Sequence, residues 1–173
     1  KIIRPFNIYG PGMSIETDYR MIPNLIKSAL RKQTVNIYGT GNQTRTFCYY
    51  TDAIEGVIKV IKNGEYGETY NVGGFNEWTN IDLIKLLCAQ MDVALNNSPG
   101  TSEDLITFIK DRPGHDKRYA IDANKLKNEL GWQPSLQFEE GLEKTINWYL
   151  DNEEWMDNLT SGDYQKYYEK QYS

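Results

Sequence analysis

Apolar residues recur along this chain at helical spacing in some stretches and crowd into short β-branched or aromatic runs in others. Positions 22, 25, 26, 29 and 30 share one face at a 3.6-residue period, which predicts a helix over 22–30. Ile54, Val57, Ile58 and Ile61 fall at i, i+3, i+4 and i+7, and Asp52 stands ahead of them where an N-cap belongs. That pattern predicts a helix with its isoleucines on the core. Thr79 with Asp82 reads as a capping box before a helix whose face is Ile84, Leu87, Cys88 and Met91. A short helix over 124–131 stops at Gly131, and Leu142, Ile146, Tyr149 and Leu150 carry another from Phe138 onward.

Between these helices lie strand-like runs. Residues 1–9, KIIRPFNIY, read as a strand broken by Pro5, with the turn GPG at 10–12 after it. VNIYG, TRTFCYY, ETYNVGG and LITFIKD read as four more, with GTGNQ and 94–104 as loops. Strands and helices alternate, with more helix toward the end, so the fold class is α/β. The chain opens inside a core-like strand without a methionine. This predicts a piece of a longer protein, with strand edges and helix faces left uncovered.

The 173 residues suffice for one domain with a real core, and 39% apolar with 25% charged content is ordinary for a globular chain. No apolar run reaches the ~20 residues of a bilayer span, and no secretory leader is visible, so a membrane is not an expected partner. Cys48 and Cys88 fall in strand and helix patterns that read as buried. Reduced thiols, and with them a cytoplasmic location, are expected. One histidine and two distant cysteines cannot assemble a zinc site, and no metal is expected. A net charge of −5 with no basic stripe argues against nucleic acid.

Against that acidic background KDRPGHDKRYAID, residues 110–122, concentrates four cations and the only histidine around a Pro-Gly turn. A phosphate needs charge-assisted donors at fixed geometry, and arginine's planar fork suits it best. Arg20, Arg45 and Arg112 are the candidates, with His115 beside them and Asn7 and Asn71 as uncharged amide donors near strand ends. Ligand sites of α/β sheets gather at such ends. Each residue alone has a plainer reading: a solvated strand-edge charge for Arg45, a turn residue for Asn71, a surface turn histidine for His115. No G-x-G-x-x-G occurs, no Tyr-x-x-x-Lys pair sits on a convincing helix, and YYEK at 167–170 is a pattern accident. No nucleophile–histidine–acid set can be placed, so no catalytic residue is assigned. The chain reads as able to bind a substrate but not to transform it.

RPFNIYGP (4–11), NIYGTGNQTRTFCYYTD (36–52), GETYNVGG (67–74), DRPGHDKRYAID (111–122) and ELGWQPSLQFEEGL (129–142) together resemble one family. They are similar to the C-terminal half of the extended short-chain dehydrogenases/reductases that modify nucleotide sugars, the NAD-dependent epimerase/dehydratase family. DRPGHDKRYAID and the ending WYLDNEEWMDNLTSGDY are most typical of its 4,6-dehydratase branch acting on dTDP-glucose. Residues 1–62 lean toward the epimerase and decarboxylase branches.

The resemblance implies the last strands of a Rossmann-type dehydrogenase joined to a smaller, mostly helical substrate-binding domain. Residues 1–173 would form the sugar-nucleotide-binding portion, and an N-terminal NAD-binding half would lie outside this chain. It implies that Asn7 contacts the pyrophosphate and that Arg20 stands near the substrate where the family usually has lysine. Asn36, Ile37 and Tyr38 would line the nucleobase, with Asn36 where proline is usual. Arg45 and Asn71 would be phosphate-side ligands, and Arg112 and His115 would supply phosphate and ribose contacts. The implied parent is a homodimeric NAD-dependent lyase. It oxidises the sugar at C4, eliminates water across C5–C6 and returns the hydride to C6. dTDP-glucose is the preferred substrate. A UDP-sugar epimerase or UDP-glucuronate decarboxylase, and a non-catalytic nucleotide-sugar-binding module, are the alternatives.

Overall fold

A computed structural model of the chain describes residues 1–13 and 20–160. The tyrosine-rich tail, the YYEK run and part of the segment after GPG lie outside the described residues. Two hydrophobic cores stand side by side, each organised around short parallel strand pairs.

The first core forms around β1 (Ile2–Pro5) and β6 (Thr69–Val72), parallel and in register from Ile2 opposite Thr69 to Pro5 opposite Val72. Two helices cover it, α2 (Tyr50–Asn63) and α4 (Asn124–Leu130). Its buried residues include Val60, Tyr70, Val72, Leu126 and Trp132. Pro5 does not break the strand. It closes β1, where a missing N–H can be tolerated, and Phe6 N still donates to Val72 O at 2.9 Å. The real interruption is Asn7, at φ 45°, after which the chain resumes as β2 (Ile8–Tyr9) beside β5 (Cys48–Tyr49).

The second core is helical. It packs α1 (Met21–Leu30), α3 (Asn80–Ala94), α5 (Phe138–Asp151) and α6 (Glu153–Thr160) around β3 (Val35–Tyr38), which pairs in parallel with β8 (Ile106–Ile109). The predicted α1 face is buried at Ile22, Leu25, Ile26 and Ala29, and Pro23 sits in the first turn, where backbone donors lack helical partners anyway. The Thr79 cap forms as expected: its hydroxyl accepts from Asp82 N at 3.1 Å, and Ile84, Leu87, Cys88 and Met91 are all buried. Gly131 ends α4 at φ 64°, the left-handed conformation glycine adopts without strain. A third, small sheet runs β7 (Trp78–Thr79), β4 (Thr44–Arg45), β9 (Arg118–Tyr119), with β4 antiparallel to β7 and parallel to β9.

Three further expectations are corrected. TRTFCYY is not one strand but β4 and β5, separated at Thr46 and Phe47. The Asn76 side chain takes the pairing role there: its Oδ1 accepts from Phe47 N at 3.0 Å and its Nδ2 donates to Phe47 O at 2.8 Å. The α2 isoleucines face outward, with Ile54 53% and Ile61 61% exposed, while Ala53, Gly56 and Val60 meet the core. A Cβ at Gly56 would stand 2.8 Å from Val72 Cγ1 and 3.0 Å from Trp132 Cε2, so only the small-residue face can approach so closely.

The third correction concerns Asp52. Tyr49 is the N-cap of α2, and Asp52 lies inside the first turn, 2% exposed. Its Oδ1 accepts from Ser135 N at 3.1 Å and Ser135 Oγ at 2.7 Å, its Oδ2 from Leu136 N at 3.3 Å, while Trp132 Nε1 donates to its backbone carbonyl at 3.1 Å. The carboxylate also suits the positive end of the helix. Asp52→Ala would strand three donors of the loop between α4 and α5. The expected loss is about 2–4 kcal/mol of unfolding free energy in urea titration, with Asp52→Asn losing less because one acceptor oxygen remains.

Candidate nucleotide site

The candidate residues meet where β3, β4 and the segment 111–122 converge. After β3, Gly39 turns at φ 64° and its N–H donates to Ile109 O at 2.9 Å. A Cβ on Gly39 would come within 2.9 Å of Asp111 Oδ2, so a side chain there would push away the acidic residue at the head of the Arg-Pro-Gly-His turn. The turn itself is closed by Gly114 at φ 70°.

His115 is held from three sides. Its Nδ1 lies 2.7 Å from Asp111 Oδ1, its ring meets Tyr38 edge-on at 6.3 Å between centroids, and Gln43 Nε2 approaches Nδ1 at 3.3 Å. The Gln43 amide also donates to Asp111 Oδ2 at 2.9 Å and reaches Tyr38 O at 3.4 Å. Arg112 N donates to Asp111 Oδ1 at 2.9 Å. With the His115 hydrogen bond foremost, and the Arg112 and Gln43 donors adding to it, Asp111 is held below the usual carboxylate range. The Arg112 side chain is exposed.

Two residues beyond Gln43, Arg45 stands over the ring of Tyr119 at 5.8 Å, with its NH1 donating to Thr44 O at 2.7 Å. Burial lowers its pKa; Asp116 opposes that shift and Arg112 adds to it, so Arg45 and Arg112 share one electrostatic neighbourhood. Tyr119 stacks in turn on Phe6 at 4.3 Å. The adjacent Asn7 donates to Thr46 O at 2.6 Å, which brings it beside β4. Asn7, Tyr38, Arg45, Arg112 and His115 are therefore gathered in one region.

The other candidates stand differently. Asn71 donates to Asp122 O at 2.9 Å, at the far end of the same segment. Arg20 is exposed and caps α1, its carbonyl accepting from Asn24 Nδ2 at 2.9 Å; no contact ties it to the cluster among the described residues. Asn36 is exposed on β3, but Ile37 is 1% exposed with its side chain in the helical core. A ligand lying on this segment would meet Asn36 and Tyr38, not the Ile37 side chain, because successive strand residues face opposite sides.

Arg118, although its side chain is largely exposed, grips Glu77 in a fork, Nε to Oε1 at 2.9 Å and NH2 to Oε2 at 3.0 Å, while Thr44 Oγ1 donates to Glu77 Oε1 at 2.7 Å. This cross-links the sheet that carries Arg45. Lys110 and Lys117 are exposed. Gln43, Asp111 and Tyr119 were not singled out by sequence reasoning. Their types carry no charge signature of an anion site, and only Asp111, four residues before the histidine, offered a spacing clue.

Cys48 and Cys88 are buried free thiols, both pushed up to about 12, chiefly by burial, which makes them unreactive. Among the described residues no three metal-ligating side chains cluster, and no helix is long and apolar enough to cross a membrane.

Parallel strands with flanking helices define the scaffold as part of a Rossmann-type α/β fold. The chain belongs to the GDP-mannose 4,6 dehydratase family, whose sequence model matches residues 1–145. It is 43% identical over 166 residues to the dTDP-glucose 4,6-dehydratase of Shigella flexneri, and equally to dTDP-glucose 4,6-dehydratase 1 of Escherichia coli K12, covering 96% of this chain and 45% of each relative. The chain thus spans under half the length of these relatives. Among solved structures it is similar to dTDP-glucose 4,6-dehydratase from Bacillus anthracis in complex with NAD, at TM-score 0.77 and 37% identity over 91% of this chain and 47% of that one. The Streptomyces venezuelae enzyme of the same name, with NAD bound, gives TM-score 0.79 at 32% identity over 92% and 46%. A UDP-glucuronic acid 4-epimerase from Bacillus cereus gives 0.69 at 26% identity over 87% and 45%.

The depressed Asp111 pKa has a signed consequence. A carboxylate held low in the folded state contributes stability above its unfolded value, about 4, and loses it as pH falls through the folded value. Asp111→Ala should therefore differ from wild type in its unfolding midpoint near neutrality. The two should converge below pH 4.

Proposed function

We propose that this chain is the substrate-binding portion of an NAD-dependent dTDP-glucose 4,6-dehydratase. One observation carries the reading: Arg112 and His115, on the segment whose sequence is most typical of that enzyme, meet Arg45 of β4 and Tyr38 of β3 respectively. Among the solved structures, 37% and 32% identity to two dTDP-glucose 4,6-dehydratases, against 26% to the epimerase, favours a dTDP-sugar over a UDP-sugar.

In this reading Arg45 and Arg112 hold the diphosphate by charge-assisted hydrogen bonds, and Asn7 adds an amide donor beside Arg45. Tyr38 and Asn36 lie against the base, and His115 meets the ribose. Arg20 and Asn71 flank the ligand as secondary contacts. Gripping the nucleotide at several points fixes the sugar relative to the reacting groups. A misplacement of about 1 Å could cost roughly 100-fold in rate.

Among the described residues, the two helices entered directly from strands do not form a dinucleotide cradle. Helices α2 and α3, both entered from strands, carry Asp52 and Asp82 in their first turns, and neither is entered through a glycine-rich turn. NAD, which would accept and return the hydride, therefore belongs mainly to sequence outside this chain, as do the catalytic residues. The same reading carries a homodimeric, cytoplasmic parent, the latter in keeping with two buried reduced thiols.

Two outcomes are expected of the intact protein. Saturating dTDP should raise its thermal midpoint more than UDP does, since a ligand bound only to the native state stabilises it; equal shifts would remove the case for a dTDP-sugar. Arg112→Ala should weaken dTDP binding by about 1.5–3 kcal/mol in calorimetry, the range of a hydrogen bond to a charged group. Conversion of dTDP-glucose to its 4-keto-6-deoxy product tests the activity directly.

A further inference from the structure

The candidate site contains a device that the contacts of its ligand-facing residues do not explain. His115 is the only imidazole in the chain, its side chain just 7% exposed, and one of its nitrogens is committed to a protein partner. We propose that Asp111 and Gln43 are positioning residues of the nucleotide site: they fix His115 as its Nδ1–H tautomer and leave Nε2 to the ligand as a hydrogen-bond acceptor. This rests on the reading above, that a nucleotide lies against Tyr38, Arg112 and His115.

The hydrogen-bond inventory leads to the tautomer. An ionised carboxylate can only accept, so at 2.7 Å from Asp111 Oδ1 it is His115 Nδ1 that carries the hydrogen. The Gln43 amide has two hydrogens, and they are directed at Asp111 Oδ2 and Tyr38 O. Its 3.3 Å approach to His115 Nδ1 is then donor against donor, a close contact and not a bond. Gln43 thus steers the carboxylate, and the carboxylate steers the ring. Arg112 N bonds the same Asp111 oxygen as His115, which ties the backbone of the turn to the device.

In the neutral ring, Nε2 is then an acceptor. It has no hydrogen bond among the described residues, and it is not one of their enclosed unpaired atoms, so it is open to an incoming group. Phosphate oxygens are acceptors and cannot bond it; a sugar hydroxyl can. The site therefore divides its work. Arginine forks take the phosphates, and an oriented imidazole takes the ribose hydroxyl, which in a deoxythymidine nucleotide is the 3′-hydroxyl.

The test uses intact, 15N-histidine-labelled protein at pH 8, with the His115 signals identified by their loss in His115→Asn. Wild type should show a protonated Nδ1 and a bare Nε2. Asp111→Ala should move the population toward the Nε2–H form, and Asp111→Asn, whose carbonyl still accepts, should keep the original tautomer. In calorimetry Asp111→Ala should bind dTDP roughly tenfold more weakly, about 1.4 kcal/mol, and Asp111→Asn should restore most of the affinity. The 3′-deoxy analogue of dTDP should bind wild type roughly tenfold more weakly than dTDP does, with no further loss in Asp111→Ala.

A wild-type Nε2–H tautomer, or a tautomer indifferent to Asp111→Ala, would overturn the proposal whatever the binding data. So would unchanged dTDP affinity in Asp111→Ala when Arg112→Ala weakens binding. If Arg112→Ala also leaves dTDP affinity unchanged, the nucleotide reading itself falls, and the positioning role falls with it.

Discussion

The Asp52 carboxylate, buried in the first turn of α2, receives Ser135 and Leu136 from the loop that joins α4 to α5. Helices α2 and α4 belong to the core around β1 and β6, and α5 belongs to the helical core, so this side chain ties one core to the loop that leads into the other. Buried charge is tolerated here because three donors, one a hydroxyl and two backbone N–H groups, replace the water it lost. Once the loop is pinned, α5 lies against β2 and β5 at Gly141, where a Cβ would stand 2.2 Å from Tyr9 Oη. Tyr9 in turn donates to Phe138 O at 3.1 Å.

The candidate site is organised by one irregular segment. Residues 111–122 bond in sequence to Gln43, Glu77, Thr46 and Asn71, so a stretch with only two residues in a strand is nonetheless tied to every neighbouring element. Loops positioned this way can carry binding groups with the precision of a regular element. The concentration of cations that stands out in an acidic chain resolves into separate tasks. Arg118 makes a structural fork with Glu77, Lys110 and Lys117 face water, and Arg112 stays exposed in the electrostatic neighbourhood of Arg45, the pair proposed above for the diphosphate.

Much of the helical framework was legible in the sequence. The α1 and α3 faces, the Thr79 cap and the Gly131 stop were readable because each depends on residues within a few positions of one another. The family motifs were legible for the same reason. What could not be read was direction. The periodicity of α2 is strong, yet its isoleucines point outward, because the choice of face was made by how closely Val72 and Trp132 approach Gly56, and those residues are distant in sequence. Ile37 is a similar case: a short strand motif names three residues, but alternation sends the middle one into the core.

What the sequence determined alone is therefore local and compositional: an α/β alternation, caps and stops, thiols fit for burial, and a histidine amid arginines at a Pro-Gly turn. What only the tertiary structure decided is which partner each polar group found. Asp52 could equally have capped its own helix, and Arg118 could have stood on the surface without a carboxylate partner. Gln43 carries no sign of its role until β4 brings it against a residue 68 positions away. Hydrogen bonds and ion pairs depend on ångström-scale placement of groups that chain order does not bring together, and that placement exists only once the cores have closed.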